Sequence, residues 1–460
     1  MKAEKTLSQS LADFVVSLKN EANIPSDVME KARVCLLNGY GIGLACFNTP
    51  FGRVAAEAGL AMDGERADGA TLLADGRKSS MQAAMLSNSA LFHGRAQEDA
   101  LGAAHLGAIL IPMLTAAAET GRMPLARLLP ALIAGYEVGG LFEQAYAGHT
   151  TPAGLRASPI YGALASAAAA SLALDLDAAR TAAALANAAS FAGGILQSFS
   201  DGTDEWRYQL GVSANHGWVA AQLARAGSVS APHAFEGRAG LIRAYARAEC
   251  DVAALRATLG RQWFIHRVVF KPYPVCAFNQ TPVNAALALR DQLKDRVPSR
   301  IQVRMNPYET GYAGMDSTGP FSTVSGTLMS IPFCIANTLL YGAPSLRDMM
   351  VYDDPKVAGL IDRIALISDP DVPRLSCVIA AEFDNGDAPE VLRMDKTVED
   401  YNYDRATLLD LVQRVGAEVG LDPGSSVALE RFVDDPASVG LETVLQEFAR
   451  ARDAAASPKA

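Results

Sequence analysis

Two stretches of the sequence carry side chains that could move protons or hold anions. Residues 93–99 read His-Gly-Arg-Ala-Gln-Glu-Asp, and His105 follows shortly after them. Far downstream, residues 271–274 read Lys-Pro-Tyr-Pro. Histidine exchanges protons near neutral pH because its unperturbed pKa is about 6.5, and lysine and arginine bind carboxylates through charge-assisted hydrogen bonds. These residue types suit proton transfer beside a carboxylate.

Other common chemistries have little support in the sequence. The six cysteines are far apart and form no Cys-x-x-Cys pair, so neither a disulfide framework nor a thiolate zinc site is predicted. The six histidines include no His-Glu-x-x-His, and neither a Walker A loop nor a Gly-x-Gly-x-x-Gly follows a predicted strand. No metal and no cofactor are therefore expected.

Composition narrows the class of protein further. The 460 residues are half hydrophobic, one fifth charged and carry a formal net charge of -10, which is typical of a globular protein without a nucleic-acid surface. The longest apolar stretch, Tyr161–Leu174, is shorter than a membrane span and is predicted to be a buried helix. With no signal-peptide pattern at the N-terminus, a cytoplasmic location is expected.

A helical pattern dominates the chain from residue 7 to about residue 260. Apolar residues recur at helical spacing, and high Ala and Gly content favours close packing of helices. The predicted helices after the first two, which begin near Leu7 and Pro25, are Met81–Phe92, Leu106–Glu119, Leu125–Val138, Tyr161–Ala173, Asp177–Ala192 and Ser213–Ala226.

The pattern changes after residue 264 and becomes helical again from residue 405. Strands are predicted at residues 300–305, 364–367, 376–383 and 391–394, with helices at 281–293, 330–340 and 355–362. The expected fold class is mostly α with an α+β second domain. A large all-helical domain is expected from residues 1–265 plus 396–460, and a small α/β domain from residues 266–395.

Four blocks, taken in order, resemble the MmgE/PrpD family, whose members include 2-methylcitrate dehydratase, cis-aconitate decarboxylase and iminodisuccinate epimerase. The blocks are residues 93–107, 154–162, 201–217 and 271–280. The resemblance implies a cofactor-independent enzyme with its active site between the two domains. It also implies a homodimer and a small carboxylate substrate.

The resemblance assigns roles to individual residues. His105 falls on the catalytic histidine position, Lys271 would supply a cation, and Tyr273 could protonate a carbanion or a leaving oxygen. The predicted catalytic set is His105, Lys271, Tyr273 and Asp99. The predicted substrate-binding residues are Arg95, Gln97, Arg156, Ser158, Trp206, Arg207 and Gln280.

Departures from the family pattern leave the reaction open. Arg156 and Gln280 replace family histidines, Trp206 replaces a lysine, and residues 95–99 replace Asp-Phe-Asp-Asp-Thr. The leading interpretation is a divergent dehydratase or decarboxylase whose substrate differs from those of the named family members and can be bulkier than they are. The alternatives are an epimerase, tautomerase or cyclase, and a catalytically silent anion-binding homologue.

Simpler interpretations of the same motifs also remain. Glu98 and Asp99 can cap the start of a helix with His105 packed below them. Arg207 can belong to a solvated turn, and Cys276 is expected to pack in the core instead of acting as a nucleophile.

Overall fold

The computed structural model describes residues 4–294 and 296–456, and its larger part is a bundle of helices. Two short strands, β1 (Ala70–Thr71) and β2 (Lys78–Ser79), form a small antiparallel ribbon beside it. The helices of this part are α1 (Leu7–Ser17), α2 (Ser26–Leu44), α3 (Phe51–Asp63), α4 (Met81–Phe92), α5 (Gly107–Glu119), α6 (Leu128–Thr150), α7 (Ala157–Ala173), α8 (Ala178–Phe191), α9 (Gln197–Asp201), α10 (Glu205–Arg225) and α11 (Val252–Thr258).

The Ala-rich helix α7 lies at the centre of the bundle. Every one of its residues is buried, and it packs against α5, α6, α8 and α10. Alanine side chains end at Cβ, so neighbouring helix axes can approach closely. Small residues therefore allow the helices at the centre of the bundle to pack closely.

Helix α6 is longer than the sequence pattern predicts. The prediction ends at Val138, but the helix continues to Thr150. Gly139 follows Val138, and a Cβ at this position would come within 2.8 Å of Leu106 and 2.9 Å of Ala165. Packing by these neighbours stabilises the helix where local propensity is poor.

Within the described residues, Leu125–Thr150 is the one helical stretch that is long and apolar enough to cross a membrane. Of its apolar window, 83% is buried inside the fold.

The smaller part is an α/β unit built on a four-stranded mixed sheet. Its strands, β3 (Arg300–Met305), β4 (Ile364–Ser368), β5 (Ser376–Glu382) and β6 (Glu390–Asp395), lie in the order β4-β3-β5-β6. Strand β3 is parallel to β4 and antiparallel to β5. The helices are α12 (Gln280–Leu293), α13 (Pro307–Thr310), α14 (Val324–Met329), α15 (Ile331–Tyr341), α16 (Leu346–Met349) and α17 (Pro355–Ile361).

The last helices return to the first part of the molecule. They are α18 (Val398–Tyr401), α19 (Arg405–Val419), α20 (Gly424–Asp434), α21 (Pro436–Val439) and α22 (Glu442–Ala456). Helices α19, α20 and α22 contact α2, and their apolar side chains join the core of the helical bundle. A second hydrophobic core lies beneath the sheet and also includes Phe51, Phe199 and Trp206 from the helical part. The fold class, a large helical domain with a small α/β domain, is confirmed.

Candidate active site

The loop between α4 and α5 meets the entry to the small domain at one buried carboxylate, that of Glu98. Its Oε1 lies 2.6 Å from Lys271 Nζ and 3.1 Å from His105 Nδ1. Its Oε2 lies 2.9 Å from His93 Nδ1. We refer to Glu98, Lys271, His93 and His105 as the Glu98 cluster. It brings together three groups that can carry protons around a single anion.

Backbone contacts hold the two loops of this cluster together. Ala100 N donates to Val269 O over 3.0 Å, and Val269 N donates to Ala100 O over 2.8 Å. The Nε2 of Gln97 donates to Pro272 O over 3.0 Å. The cluster is therefore positioned by a short β-like bridge between segments that are distant in the sequence.

Glu98 is the anion of the cluster. Burial alone would raise its pKa, because a charged carboxylate loses hydration inside the protein. His93, Lys271 and His105 together outweigh burial and hold the pKa of Glu98 well below its ordinary value. The Glu98 carboxylate is therefore ionised across the physiological range of pH.

The tautomer of His93 follows from its neighbour Arg156. The Nη2 of Arg156 lies 2.9 Å from His93 Nε2, and a guanidinium can only donate, so this nitrogen accepts. The Nδ1 of His93 then carries the proton and faces Glu98, although off the line of an ideal hydrogen bond. Burial lowers the pKa of His93 to about 4, although Glu98 opposes the change. His93 is neutral at physiological pH.

His105 is more exposed than His93 but has the same tautomer. Its Nδ1 lies 3.0 Å from Asp99 O and 3.1 Å from Glu98 Oε1, and both oxygens can only accept. The proton is therefore on Nδ1, and the lone pair is on Nε2. The side chain of His105 is 16% exposed, compared with 1–3% for the other cluster members. Burial, followed by Lys271, lowers the pKa of His105 well below its ordinary value, so the ring is a neutral base.

The carboxylate of Asp99 has partners other than the His105 ring. It accepts from Gly107 N over 3.2 Å at the start of α5 and from the Tyr136 hydroxyl. A Cβ at Gly107 would lie 2.6 Å from Asp99 Oδ1, so this contact requires glycine. Burial raises the pKa of Asp99 to about 6. Asp99 thus orients His105 through its carbonyl and fixes the helix that follows.

Arg156 and Ser158 lie where α7 begins. The Oγ of Ser158 accepts from His105 N over 3.1 Å, so Ser158 holds the backbone of the histidine. Besides His93, the buried Arg156 guanidinium donates to Trp206 O and to Gln209 Oε1, the latter over 3.1 Å. Burial lowers the pKa of Arg156 to about 10, which leaves it protonated. It places a second cation next to the Glu98 cluster.

Trp206 forms an aromatic wall of the site. Its ring centroid lies 4.5 Å from that of His93 and 5.1 Å from that of Phe199. The indole Nε1 is buried and has no hydrogen-bond partner among the described residues. A buried donor without a partner costs free energy, and a bound ligand can satisfy it.

Arg207 connects the two domains. Its guanidinium lies between two rings, 3.7 Å from the centroid of Phe51 and 3.9 Å from that of Trp206. It donates to Ser325 Oγ in α14 over 2.5 Å and to Asp204 over 3.3 Å. Burial lowers the pKa of Arg207 to about 9. Arg207 is buried, so the solvated-turn interpretation is wrong.

Tyr273 and Gln280, two of the residues predicted for the site, lie outside the Glu98 cluster. The Tyr273 hydroxyl donates to Asn284 Oδ1 over 3.1 Å, a geometry that gives no support to its predicted role as proton donor. The side chain of Gln280 binds backbone atoms of Tyr273 and Val275 over 3.0–3.2 Å. It stabilises the Pro-rich turn.

Arg95 also lies outside the cluster. It donates to Gln97 and to Glu418 in α19, so it links the α4–α5 loop to the returning C-terminal helices.

His93 and Glu98 are the site residues that sequence reasoning misses. The spacing of His93, Glu98 and His105 is visible in the sequence, but the helix-cap interpretation of Glu98 accounts for it without chemistry. That interpretation is right for Asp99, whose carboxylate accepts from Gly107 N at the start of α5. It is wrong for Glu98, whose carboxylate faces His93, His105 and Lys271. No group of three or more His, Cys, Asp or Glu side chains able to hold a metal ion occurs among the described residues.

A helical domain joined to a small α/β domain, with a charged cluster where they meet, defines the architecture. The chain belongs to the MmgE/PrpD family: residues 9–251 match the MmgE/PrpD N-terminal domain, and residues 273–399 match the MmgE/PrpD C-terminal domain. This match confirms the resemblance read from the four sequence blocks.

Two relatives are similar over most of the chain. The cis-aconitate decarboxylase-like protein oryM of Aspergillus oryzae is 26% identical over 424 residues, which cover 85% of this chain and 87% of that protein. The cis-aconitate decarboxylase of Aspergillus terreus is 24% identical over 358 residues, which cover 72% of this chain and 71% of that protein. Family and relatives support a function of the dehydratase or decarboxylase type.

Proposed function

We propose that this protein is a decarboxylase acting on a small unsaturated polycarboxylic acid, with His105 as the group that transfers the proton. The observation that carries the proposal is the state of His105. Its Nδ1 is held by Asp99 O and Glu98, and its Nε2 has no hydrogen-bond partner among the described residues. The ring therefore presents a free lone pair on Nε2.

The charges around His105 suit an anionic substrate. Glu98 contributes one negative charge, and Lys271 and Arg156 contribute one positive charge each, so these three side chains sum to +1. Cations placed where negative charge develops stabilise the transition state more strongly in a buried site than in water. A carbanion next to a carboxylate is a developing charge of this kind.

The proposed reaction balances with one proton. A substrate carboxylate next to His105 raises the pKa of the ring, so the ring binds a proton on Nε2. The carbon–carbon bond to the leaving carboxylate breaks, CO2 departs, and the electron pair stays on carbon as a carbanion conjugated to a remaining carboxylate. His105 delivers its proton to that carbon and is reprotonated from water. The product retains the other carboxylates.

Both relatives are named for cis-aconitate decarboxylase activity, and this favours decarboxylation over dehydration for this chain. The residues of the cluster serve either reaction, because dehydration also needs a base beside a carboxylate. Homodimer formation and a cytoplasmic location stay predictions.

Proton NMR in D2O with parallel detection of CO2 tests the proposal. The purified protein is incubated with a panel of di- and tricarboxylates that includes cis-aconitate. The expected result is release of CO2 with one deuterium on the carbon that loses it. Exchange of a substrate C–H without loss of mass would instead identify an isomerase, and saturable binding without turnover would identify a silent homologue.

A further inference from the structure

A large cleft lies between the two domains, next to the Glu98 cluster but outside it. Its volume is about 640 Å³, within the range of roughly 300–1,000 Å³ that holds drug-sized ligands. One wall comes from residues 151–154, which follow α6, and from residues 195–200, and the other comes from residues 307–313. Across the rim, the Tyr308 hydroxyl lies 3.4 Å from Thr151 Oγ1.

The wall of the cleft carries Arg156. The backbone N of Arg156 donates to Gly194 O over 3.1 Å, and Leu196 N donates to Gly154 O over 3.0 Å. Gly154 and Leu196 line the cleft. The Arg156 guanidinium lies 5.1 Å from the centroid of the Phe199 ring. The segment that lines this wall therefore also positions the cation next to His93.

Tyr312 extends this connection from the opposite wall. Its ring lies 5.9 Å from that of Phe199. The Phe199 ring in turn lies 5.1 Å from the Arg156 guanidinium and 5.1 Å from the Trp206 ring. Phe199 therefore connects a residue of the cleft lining with Arg156 and Trp206 beside the Glu98 cluster.

The lining of the cleft is uncharged. The twelve described residues that line it include no Asp, Glu, Lys, Arg or His. Pro152, Leu196, Tyr308 and Tyr312 supply apolar or aromatic surface, and Ile195 at the rim is 58% exposed. The lining residues offer no cation to a carboxylate, and Arg374, which lies 3.7 Å from the centroid of the Tyr308 ring, is not one of them. A hydrocarbon group bound here would remove its own apolar surface and that of the lining from water.

We propose that this cleft binds an uncharged, mainly apolar substituent of the substrate while its carboxylates bind beside Arg156 and Lys271. The substrate class is then a small carboxylic acid that bears a hydrocarbon group of several carbons. Trp206, which stands where the family resemblance predicts lysine, fits this class because the site has one cation fewer for a carboxylate. The inference rests on the proposed function.

Calorimetric binding of two non-reacting probes, succinate and n-hexylsuccinate, tests the cleft without turnover. We expect n-hexylsuccinate to bind wild-type protein at least about tenfold more tightly, because several methylenes leave water. Ala313→Trp fills the cleft, and Ile195→Asn removes apolar surface from its rim. Both changes should reduce the preference at least roughly fivefold, while Val54→Asn, at a site 52% exposed and outside the cleft, should leave it unchanged. Thermal melting verifies that each variant folds.

The outcomes separate the two proposals. Equal affinity for the two probes, or a preference that survives both cleft variants, would overturn the inference even if the protein decarboxylates cis-aconitate. A preference lost only in the cleft variants supports the inference even if no carboxylate in the panel releases CO2, in which case the proposed reaction alone fails.

Discussion

Glu98 and Lys271, which are 173 residues apart in the sequence, form a buried ion pair with an Nζ–Oε1 distance of 2.6 Å. Glu98 follows α4 in the helical domain, and Lys271 opens the segment that enters the small domain. The pair therefore joins the domains at the point where His105 is held. A buried ion pair adds little net stability over an apolar pair, but breaking it leaves a charge without its partner.

Glu98→Gln should damage stability and activity together. The amide keeps the shape of the side chain but leaves Lys271 buried without an anion, so we expect the free energy of unfolding to fall by about 3–5 kcal/mol. His105 loses the anion beside its Nδ1, so kcat/KM should fall by roughly 10²-fold or more. Urea denaturation and steady-state kinetics measure the two effects. The exposed Glu57→Gln is the control, and equal behaviour of the two variants would refute a central role for Glu98.

The pH dependence of activity should reveal the effect of Lys271 on His105. Burial and the Lys271 charge hold the pKa of His105 below its ordinary value, and the proposed reaction uses the protonated ring, so wild-type kcat/KM should rise as pH falls through the range below pH 6. Lys271→Met removes a positive charge, which favours the protonated ring and raises its pKa. The basic limb of kcat/KM, where activity falls as the ring loses its proton, should therefore move to higher pH. Lys356→Met should leave the limb in place, and a basic limb that Lys271→Met does not shift would contradict the assignment.

Stability should fall as pH rises because of Glu309. Burial raises its pKa to about 7, its Oε1 accepts from Leu375 N over 2.8 Å, and its buried Oε2 has no partner among the described residues. A carboxyl whose pKa is raised on folding stabilises the fold below its ordinary pKa and loses that contribution as pH rises through about 7. The loss is on the order of 2–4 kcal/mol.

Glu309→Gln isolates this contribution, since the amide stays neutral at every pH. Denaturation at about pH 5 and pH 8 should show a smaller difference for this variant than for wild type. The exposed Glu249→Gln should behave as wild type. A wild-type slope that Glu309→Gln leaves unchanged would show that Glu309 ionises normally.

The contact between Arg207 and Ser325 should contribute to domain association. Ser325→Ala removes the acceptor of a buried guanidinium and the hydroxyl that donates to Asp204. We expect the free energy of unfolding to fall by about 1–3 kcal/mol, with kcat/KM within a few-fold of wild type because Ser325 lies outside the Glu98 cluster. The exposed Ser190→Ala serves as the matched control. A kcat/KM loss as large as that of Glu98→Gln would place Ser325 in the site itself.

The sequence predicts the helices and the four strands of the small domain because their periodicity is local. The sequence pattern ends α6 too early, since contacts of Gly139 with Leu106 and Ala165 stabilise a glycine-containing turn of the helix. The orientation of the Tyr273 side chain also cannot be predicted from the local sequence pattern. A Pro-rich segment has about three residues per turn, so Lys271 and a residue two positions later point in different directions.

Motif position identifies His105, Lys271 and Arg156 as residues near the cluster. It does not identify Glu98 or His93 as their partners, because those contacts form between loops that only tertiary packing brings together. The same limit applies to Trp206, whose contacts with Phe199 and His93 depend on three separate elements.

The rate of CO2 release by His105→Asn shows directly whether His105 transfers the proton. Asn can keep the hydrogen bond to Asp99 O but has no ring nitrogen to exchange a proton. The exposed His149→Asn provides the matched control. We predict that His105→Asn lowers kcat/KM by roughly 10²–10⁴-fold with an unchanged melting temperature, and that His149→Asn leaves both unchanged. Wild-type activity in His105→Asn would show that His105 does not transfer the proton.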